Sequence, residues 1–189
     1  MADYDFMVKS KLFSLSFDKK FNIYDANDKL IGLCNQKAFK LKEDIRVFSD
    51  ESMKKEIIKI QAKQIVDFSA AYDIFDSDTN TFLGTWQRSG AASILRDTWY
   101  LMDTNGREIA KLEEDNMALA LVRRFLSNLI PQSYYLKNAQ GVTLATYDQT
   151  FNPFLYGLKV KIYKQPNAPH PKLAMAGAML LATIEGRQQ

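Results

Sequence analysis

The sequence predicts a mainly β fold of the α+β class, and two observations support this prediction. A short pattern typical of a β-hairpin occurs four times along the 189 residues of the chain. Near the C-terminus, one segment is apolar on every side when it is drawn as a helix. Aromatic residues make up 12% of the chain, which suits the half-buried surface of a pleated sheet. The expected architecture is therefore antiparallel sheet with few helices.

Each copy of the repeated pattern describes two strands joined by a tight turn. Alternating apolar residues lead to an Asp or Asn, a short turn follows, and a second apolar run ends in Gly or Ala. An Asp or Asn side chain accepts hydrogen bonds from the turn backbone. Gly106 and Gly141 supply the positive φ that a type I turn with a bulge requires. The four copies are residues 21–32, 72–84, 99–110 and 134–145.

Three further segments are predicted as strands. Residues 6–17 form an opening strand with partial alternation, and residues 39–47 alternate between apolar and charged side chains. Over residues 50–66 a period of two competes with the period of a helix, so strand and helix both remain open there. Within that range we favour a strand for residues 56–62.

Two segments are predicted as helices of opposite character. Residues 116–128 carry apolar side chains at helical spacing, and the acidic residues before them favour a helix N-terminus. Residues 172–185 form the second helix, in which Thr183 is the one polar side chain between Leu173 and Ile184. A helix with no polar face belongs inside protein. It is also too short to cross a membrane, because a span needs about 20 apolar residues.

Hairpins that feed an antiparallel sheet, together with one apolar C-terminal helix, resemble the barrel shared by tubby C-terminal domains, phospholipid scramblases and LURP-one-related proteins. Residues 72–89, residues 95–115 and the helix with Arg123 and Arg124 are similar to the LURP-one-related and bacterial tubby-like group. The resemblance extends over nearly the whole chain and implies a single domain, residues 1–189. It implies a closed antiparallel β-barrel of about twelve strands that encloses the hydrophobic C-terminal helix, plus one further amphipathic helix. A barrel of this width is not filled by its own side chains, so the helix serves as a plug.

Composition and charge restrict the possible partners. A net charge of +3 is too small to indicate nucleic-acid binding by bulk electrostatics. Residues 152–189 hold five Lys/Arg and one Asp/Glu, which favours an anionic surface unless this is ordinary solvated charge. The single cysteine, Cys34, excludes an internal disulfide and fits a reducing compartment. The N-terminal residues do not form a secretory signal, so we expect a cytoplasmic protein without a transmembrane span, peripheral where it meets a membrane.

No pattern in the chain indicates catalysis or a cofactor. His170 is the only histidine and stands between prolines in a linker, and Cys34 is interpreted as a small buried hydrophobic residue. The acidic pair Asp76/Asp78 is interpreted as part of a turn, because it lacks the spacing of a calcium-binding loop. Neither GxGxxG nor a P-loop motif occurs. The sequence therefore predicts no catalytic residue, no bound metal and no cofactor.

Basic side chains on predicted strands are the remaining candidates for a site. On a barrel they point outward when the alternate apolar residues point inward. The resemblance to tubby domains implies that outward cations of this kind bind a phosphoinositide headgroup. Solvated strand surface is the competing interpretation, since lysine is common on sheet exteriors. The candidate headgroup residues are Lys40, Lys42, Arg46, Lys159 and Lys161.

Three functions are compatible with these features. The leading prediction is a non-enzymatic binding or scaffold module of the tubby-like type that associates with anionic phospholipid, such as phosphoinositide, or with protein partners. The first alternative is a β-barrel carrier of an apolar small molecule, as in lipocalin-like barrels. The second alternative is an enzyme whose site is not visible in the sequence. The chain lacks the cysteine-rich and proline-rich segments of scramblases, so calcium-driven lipid scrambling is not expected.

Overall fold

The computed structural model describes residues 3–11, 18–37, 44–66, 69–89, 98–114, 131–152 and 154–184, and within these ranges it contains twelve strands and one helix. The strands are β1 (Phe6–Lys11), β2 (Asp18–Asp25), β3 (Leu30–Lys37), β4 (Asp44–Phe48), β5 (Glu56–Val66), β6 (Ser69–Asp76), β7 (Thr81–Arg88), β8 (Thr98–Met102), β9 (Glu108–Glu114), β10 (Ser133–Lys137), β11 (Thr143–Gln149) and β12 (Leu155–Ile162). The helix, α1, spans Pro171–Ile184.

The twelve strands close into one antiparallel barrel. Each strand pairs with the strand that follows it in sequence, and β1 pairs with β12 to complete the ring. At this seam Phe6 lies opposite Val160, and Lys11 lies opposite Leu155. Closure leaves the sheet without a free edge. The predicted closed antiparallel barrel of about twelve strands is confirmed.

Because neighbouring strands run in opposite directions, the connections after even-numbered strands lie at one end of the barrel and those after odd-numbered strands lie at the other. We call one end the turn rim; it carries the connections that follow β2, β4, β6, β8 and β10, and α1 enters the barrel from this end after β12. We call the other end the loop rim; there the odd-numbered strands terminate, and residues 150–154 join β11 to β12. The connections of the turn rim are residues 26–29, 49–55, 77–80, 103–107 and 138–142.

Three turns of the turn rim share one hydrogen-bonding arrangement. Asp25 Oδ1 accepts hydrogen bonds from the backbone N–H groups of Asn27 at 2.8 Å and Lys29 at 2.9 Å. Asp103 and Asn138 accept the same two hydrogen bonds in their own turns. The fourth residue of each of these three turns has a positive φ, of 57° or 76°. The hairpins predicted from recurrent Asp, Asn and Gly are therefore confirmed.

One more turn of this type is absent from the sequence pattern. Asp50 Oδ1 accepts from the N–H of Ser52 at 2.9 Å, and Met53 has a φ of 52°. This turn was not predicted from the sequence, because methionine rarely adopts positive φ and the surrounding residues also fit a helical period. The turn leads into β5, whose pairing with β4 and β6 decides the open assignment in favour of a strand over Glu56–Val66.

Three sequence predictions reach beyond the described residues. The predicted opening strand is β1 as far as Lys11, and residues 12–17 lie outside the described residues. The strand predicted over residues 39–47 is described only from Asp44, as β4. The amphipathic helix predicted over residues 116–128 lies wholly outside the described residues, among which α1 is the one helix. The structure therefore gives this second helix no support.

Helix α1 lies inside the barrel. Every residue from Leu173 to Thr183 is buried, on all sides of the helix. The helix contacts β12 and β1 on one side and β5, β6 and β7 on the other, and these two groups of strands face each other across the ring. From the wall, Trp86 and Tyr147 donate hydrogen bonds to the carbonyl oxygens of Leu173 and Ala174. The predicted enclosed helix is therefore confirmed.

Candidate functional site

The predicted headgroup residues fall in separate regions. Lys40 and Lys42 lie outside the described residues. Arg46 lies on β4, whereas Lys159 and Lys161 lie on β12. Strands β1, β2 and β3 stand between β4 and β12, which separates them by about 19 Å around the barrel at roughly 4.8 Å per strand. Arg46 therefore does not share a site with the two lysines.

Arg46 is already bound to carboxylates of the protein. Its guanidinium lies 3.0 Å from Glu56 Oε2 and 3.6 Å from Asp44 Oδ2. Glu56 also accepts a hydrogen bond of 2.7 Å from the hydroxyl of Ser77, and Lys59 lies 4.0 Å from Asp44. The two acids beside Arg46 offset its charge and weaken its attraction for an external anion.

Lys159 and Lys161 point away from the barrel interior, because the alternate residues of β12 are buried inside it. Lys161 Nζ lies 3.3 Å from Asp5 Oδ1, and Asp5 Oδ2 accepts from the N–H of Ile162 at 2.7 Å. Lys159 Nζ lies 5.3 Å from the centre of the Tyr4 ring, at the distance of a cation–π contact. Residues 4 and 5 of the N-terminal segment thus lie against the outer face of β12.

These contacts border an open cleft on the outer surface of the barrel. Its volume is about 240 Å³. Asp148 lies directly opposite Lys159 in the pairing of β11 with β12, so an acid stands beside the predicted cation. Because both signs of charge line the cleft, it offers hydrogen-bond donors and acceptors rather than a purely cationic surface. The lining residues are Asp3, Tyr4, Asp148, Gln149, Thr150, Lys159 and Lys161.

The acidic and aromatic half of this cleft was not predicted from the sequence. Asp3 and Tyr4 precede the first strand and belong to no pattern. Asp148 lies opposite Lys159 because of the register between β11 and β12. The turn between these two strands could have suggested that register. Asp5, beside the cleft, meets β12 only because β1 closes the ring. That contact is invisible in a linear sequence.

At the turn rim, a cluster of ion pairs fastens the first turn of α1. Lys172 Nζ lies 2.6 Å from Asp76 Oδ1 and 2.9 Å from Asp78 Oδ2, and Lys55 Nζ lies 2.9 Å from Asp78 Oδ1. Asp76 Oδ1 also accepts from the N–H of Asp78 at 2.9 Å, which confirms the turn assigned to this acidic pair. A lysine amine therefore satisfies the carboxylates that superficially suggested a calcium loop.

The cluster shifts the pKa of three of its members. Hydrogen bonds with Lys172 are the largest cause that lowers the pKa of Asp76 and of Asp78. Burial lowers the pKa of Lys172, but the hydrogen bonds and negative charges of the two aspartates together outweigh it, so that this pKa is raised. All three groups are charged at neutral pH. The cluster therefore acts as a structural contact between the helix and the wall.

Two residues that were considered for chemistry have structural roles. His170 caps α1: its Nδ1 accepts from the N–H of Lys172 at 3.2 Å, and its carbonyl oxygen accepts from the N–H of Leu173 at 2.8 Å. Cys34 is buried, as predicted. Burial raises the pKa of its thiol to about 12, although a hydrogen bond with the backbone of Arg46 lowers it. Because the thiolate is the nucleophile, this group is inert at neutral pH.

In the described ranges, no group of three or more His, Cys, Asp and Glu residues is placed to hold a metal ion. Nor does this part of the chain contain a helix with the length and apolarity needed to cross a membrane.

The fold defines a class of protein: a closed antiparallel barrel filled by its own C-terminal helix. The chain belongs to the LURP-one-related family, whose family model matches residues 31–130. The match covers more than half of the chain and confirms the resemblance noted in its sequence. Placement in the tubby-like superfamily is consistent with this family. A comparison with curated proteins gave no match.

Proposed function

We propose that the protein is a non-enzymatic binding module of the tubby-like type that associates with the anionic phospholipid surface of a membrane. The filled barrel is the observation that supports this most. Because α1 occupies the lumen, the outer surface and the two rims remain as the places where a partner can bind. Membership in the LURP-one-related family agrees with a binding module.

The outward lysines of β12 are the residues that we assign to headgroup contact. Lys159 and Lys161 project from alternate positions of one strand, about 7 Å apart at about 3.4 Å per residue. Amines donate charge-assisted hydrogen bonds to phosphate oxygens, and the basic residues of 152–189 add longer-range attraction. Asp3, Asp148 and Asp5, which pairs with Lys161 at 3.3 Å, limit the net positive charge here, so the proposed contact depends on charge and is shallow rather than a deep headgroup pocket.

The enclosed helix argues against the two other functions. A carrier needs an empty lumen, and an apolar ligand would have to displace a helix that Trp86 and Tyr147 hold by hydrogen bonds. An enzyme needs an activated group, and the two residues considered for that role, Cys34 and His170, serve packing and helix capping. These observations favour binding at the outer surface.

Vesicle flotation tests the proposal. The full chain is mixed with vesicles of phosphatidylcholine alone, with added phosphatidylserine, or with added phosphoinositide at matched charge. We expect flotation with both anionic compositions and none with the neutral one. Binding should weaken from low to physiological ionic strength, because the Debye length falls to about 8 Å and charges further apart than that are largely screened. If the chain fails to float with anionic vesicles at low ionic strength, the proposal is wrong.

A pair of matched variants tests the assigned residues. Lys159→Gln with Lys161→Gln removes two charges from β12, and we expect it to reduce flotation. Lys54→Gln with Lys137→Gln removes two exposed charges from the turn rim and serves as the control for net charge. Equal losses in the two double variants would show that β12 is not the contact surface.

A further inference from the structure

The connection between β11 and β12 exposes large apolar side chains at the loop rim. Phe151 is 63% exposed, Phe154 is 70% exposed and Leu155, the first residue of β12, is 44% exposed. These are the most exposed large apolar side chains among the described residues. Folding usually buries phenylalanine and leucine, and an exposed apolar patch marks an interaction surface. Core packing therefore does not explain the presence of these three side chains.

Hydrogen bonds fix the backbone that carries these side chains. Asn152 Oδ1 accepts from the N–H groups of Phe154 at 2.9 Å and Leu155 at 3.0 Å. At the base of the loop, the N–H of Thr150 donates to the carbonyl oxygen of Gly157 at 2.8 Å. The exposed apolar tip is thus preorganised, so binding through it does not first have to order the chain.

Lysines stand behind the apolar tip. Lys11 is exposed and lies directly opposite Leu155 where β1 pairs with β12. Lys159 follows on the same strand, about 13 Å from Leu155 at about 3.3 Å per residue. An apolar tip backed by a zone of amines matches the layers of an anionic bilayer, in which negatively charged headgroups cover the hydrocarbon.

The turn rim carries the less exposed of the large apolar side chains: Met53, Val142 and Tyr163 are 37%, 40% and 39% exposed. Its five connections contain no Phe, Tyr or Trp. Phe151, Phe154 and Leu155 are the described residues that make the loop rim the more apolar of the two.

We propose that Phe151 and Phe154 insert into the interfacial region of an anionic bilayer, so that the loop rim faces the membrane and the turn rim faces away from it. This inference rests on the proposed membrane association and adds an orientation and an apolar component to it. In this orientation Lys11 and Lys159 lie nearest the headgroups, whereas Lys161, about 20 Å from Leu155 at about 3.3 Å per residue, adds longer-range attraction. A bilayer fits this tip better than a pocket in a partner protein, because the two phenylalanines project from one short turn with lysines behind them.

A tryptophan at the tip reports insertion directly. The two natural tryptophans, Trp86 and Trp99, are 0% and 1% exposed and give a constant background. The Phe151→Trp variant should show a blue shift of emission with anionic vesicles, and lipids with brominated acyl chains should quench it. Tyr163→Trp is the control: Tyr163 follows β12 at the turn rim and is 39% exposed, so emission from this variant should not change.

Removing the apolar tip measures its contribution to affinity. Phe151→Ser with Phe154→Ser should leave the melting temperature unchanged, because both side chains are exposed. We expect it to lower the affinity for anionic vesicles about tenfold per phenylalanine, as partial burial of each ring in the interface implies. Val142→Ser removes an apolar side chain that is 40% exposed at the turn rim and should leave affinity unchanged.

The outcomes separate this inference from the proposed function. If the wild type floats with anionic vesicles but the Phe151→Trp variant neither shifts nor is quenched, insertion is overturned and charge-dependent binding stands. A blue shift of emission in the Tyr163→Trp variant, without one in the Phe151→Trp variant, would overturn the proposed orientation. If the wild type binds no vesicles, both proposals are wrong, and the exposed tip points instead to a protein partner.

Discussion

The indole N–H of Trp86 donates a hydrogen bond of 2.9 Å to the main-chain carbonyl oxygen of Leu173. Trp86 lies on β7 and is fully buried, and Leu173 lies in the first turn of α1. The same indole borders Gly177, where an added Cβ would lie 2.8 Å from Trp86 Cζ2. One side chain of the wall therefore holds the helix by a polar contact and requires a glycine about one turn later.

Gly177→Ala should destabilise the protein despite the better helix propensity of alanine. The propensity gain is about 1 kcal/mol, whereas overpacking of a buried site costs about 1 to 3 kcal/mol. The added methyl group would meet a ring that is fully buried and cannot move into solvent. We expect a net loss of about 1 kcal/mol in the free energy of unfolding, measured by urea denaturation.

A double-mutant cycle isolates the contact behind that loss. Trp86→Phe removes both the indole N–H and the ring atoms closest to Gly177, and it should cost about 1 to 3 kcal/mol because a buried carbonyl loses its donor. In the Trp86→Phe background, Gly177→Ala should cost less than in the wild type. Strictly additive losses would show that the indole does not define the space beside the helix.

Leu180→Asp should prevent folding. Leu180 is 1% exposed in the middle of α1, and a buried unpaired charge costs several kcal/mol against a total stability of about 5 to 15 kcal/mol. Leu155→Asp is the matched control, since Leu155 is 44% exposed and the same change should preserve the fold. Circular dichroism and thermal melting distinguish the two. A wild-type melting temperature for Leu180→Asp would mean that the helix is not enclosed.

The cluster around Lys172 should contribute stability within a defined pH window. The folded pKa values of Asp76 and Asp78 are lowered, so their contribution is present above the unfolded value, about 3.9, and is lost as the pH falls through the folded values. The folded pKa of Lys172 is raised, so its contribution is present below the unfolded value, about 10.4, and is lost as the pH rises through the folded value.

Lys172→Met should therefore destabilise the protein between these limits. The loss should not exceed the ~1 kcal/mol typical of partly solvated ion pairs, and it should shrink in acid as the aspartates become protonated. Urea denaturation over a pH series measures this difference. Lys164→Met removes an exposed charge from the linker before α1 and serves as the control. A loss that is independent of pH would indicate altered packing instead of the ion pairs.

Cys34 should be unreactive in the folded protein. Burial raises the pKa of its thiol to about 12, so the reactive thiolate does not form near neutral pH. The side chain is also 1% exposed, so a reagent cannot reach the sulfur. A chromogenic disulfide reagent should titrate one thiol in denaturant and none in buffer. An added thiol from Asn105→Cys, on an exposed turn, should react at once. Rapid labelling of native Cys34 would contradict its burial in the wall.

The barrel and its plug were predictable because local chemistry determines them. Asp25, Asp103 and Asn138 mark turns whose backbone geometry needs their side-chain oxygens, and a helix that is apolar on all sides must be enclosed by protein. The turn at Met53 was not predictable in this way, because its fourth residue is neither Gly, Asn nor Asp. There, the pairing of β4 with β5 on either side of the turn outweighs the local signal.

The candidate site was only partly predictable. Alternation along β12 indicates that Lys159 points outward, but it says nothing about the position of Arg46 around the ring. The contact of Asp5 with β12 depends on barrel closure between residues that are 157 positions apart. The exposure of Phe151 and Phe154 has no sequence signal, because phenylalanine is usually buried.

Amide hydrogen exchange with and without anionic vesicles tests most directly whether the helix is a fixed plug and binding occurs outside the barrel. Amides of Leu173 through Thr183 should exchange as slowly as those of the barrel strands in both conditions, because they open only when the barrel unfolds. With vesicles, added protection should appear at residues 150–155. Rapid exchange in α1, or its acceleration by vesicles, would show that the helix leaves the lumen and would contradict binding at the outer surface.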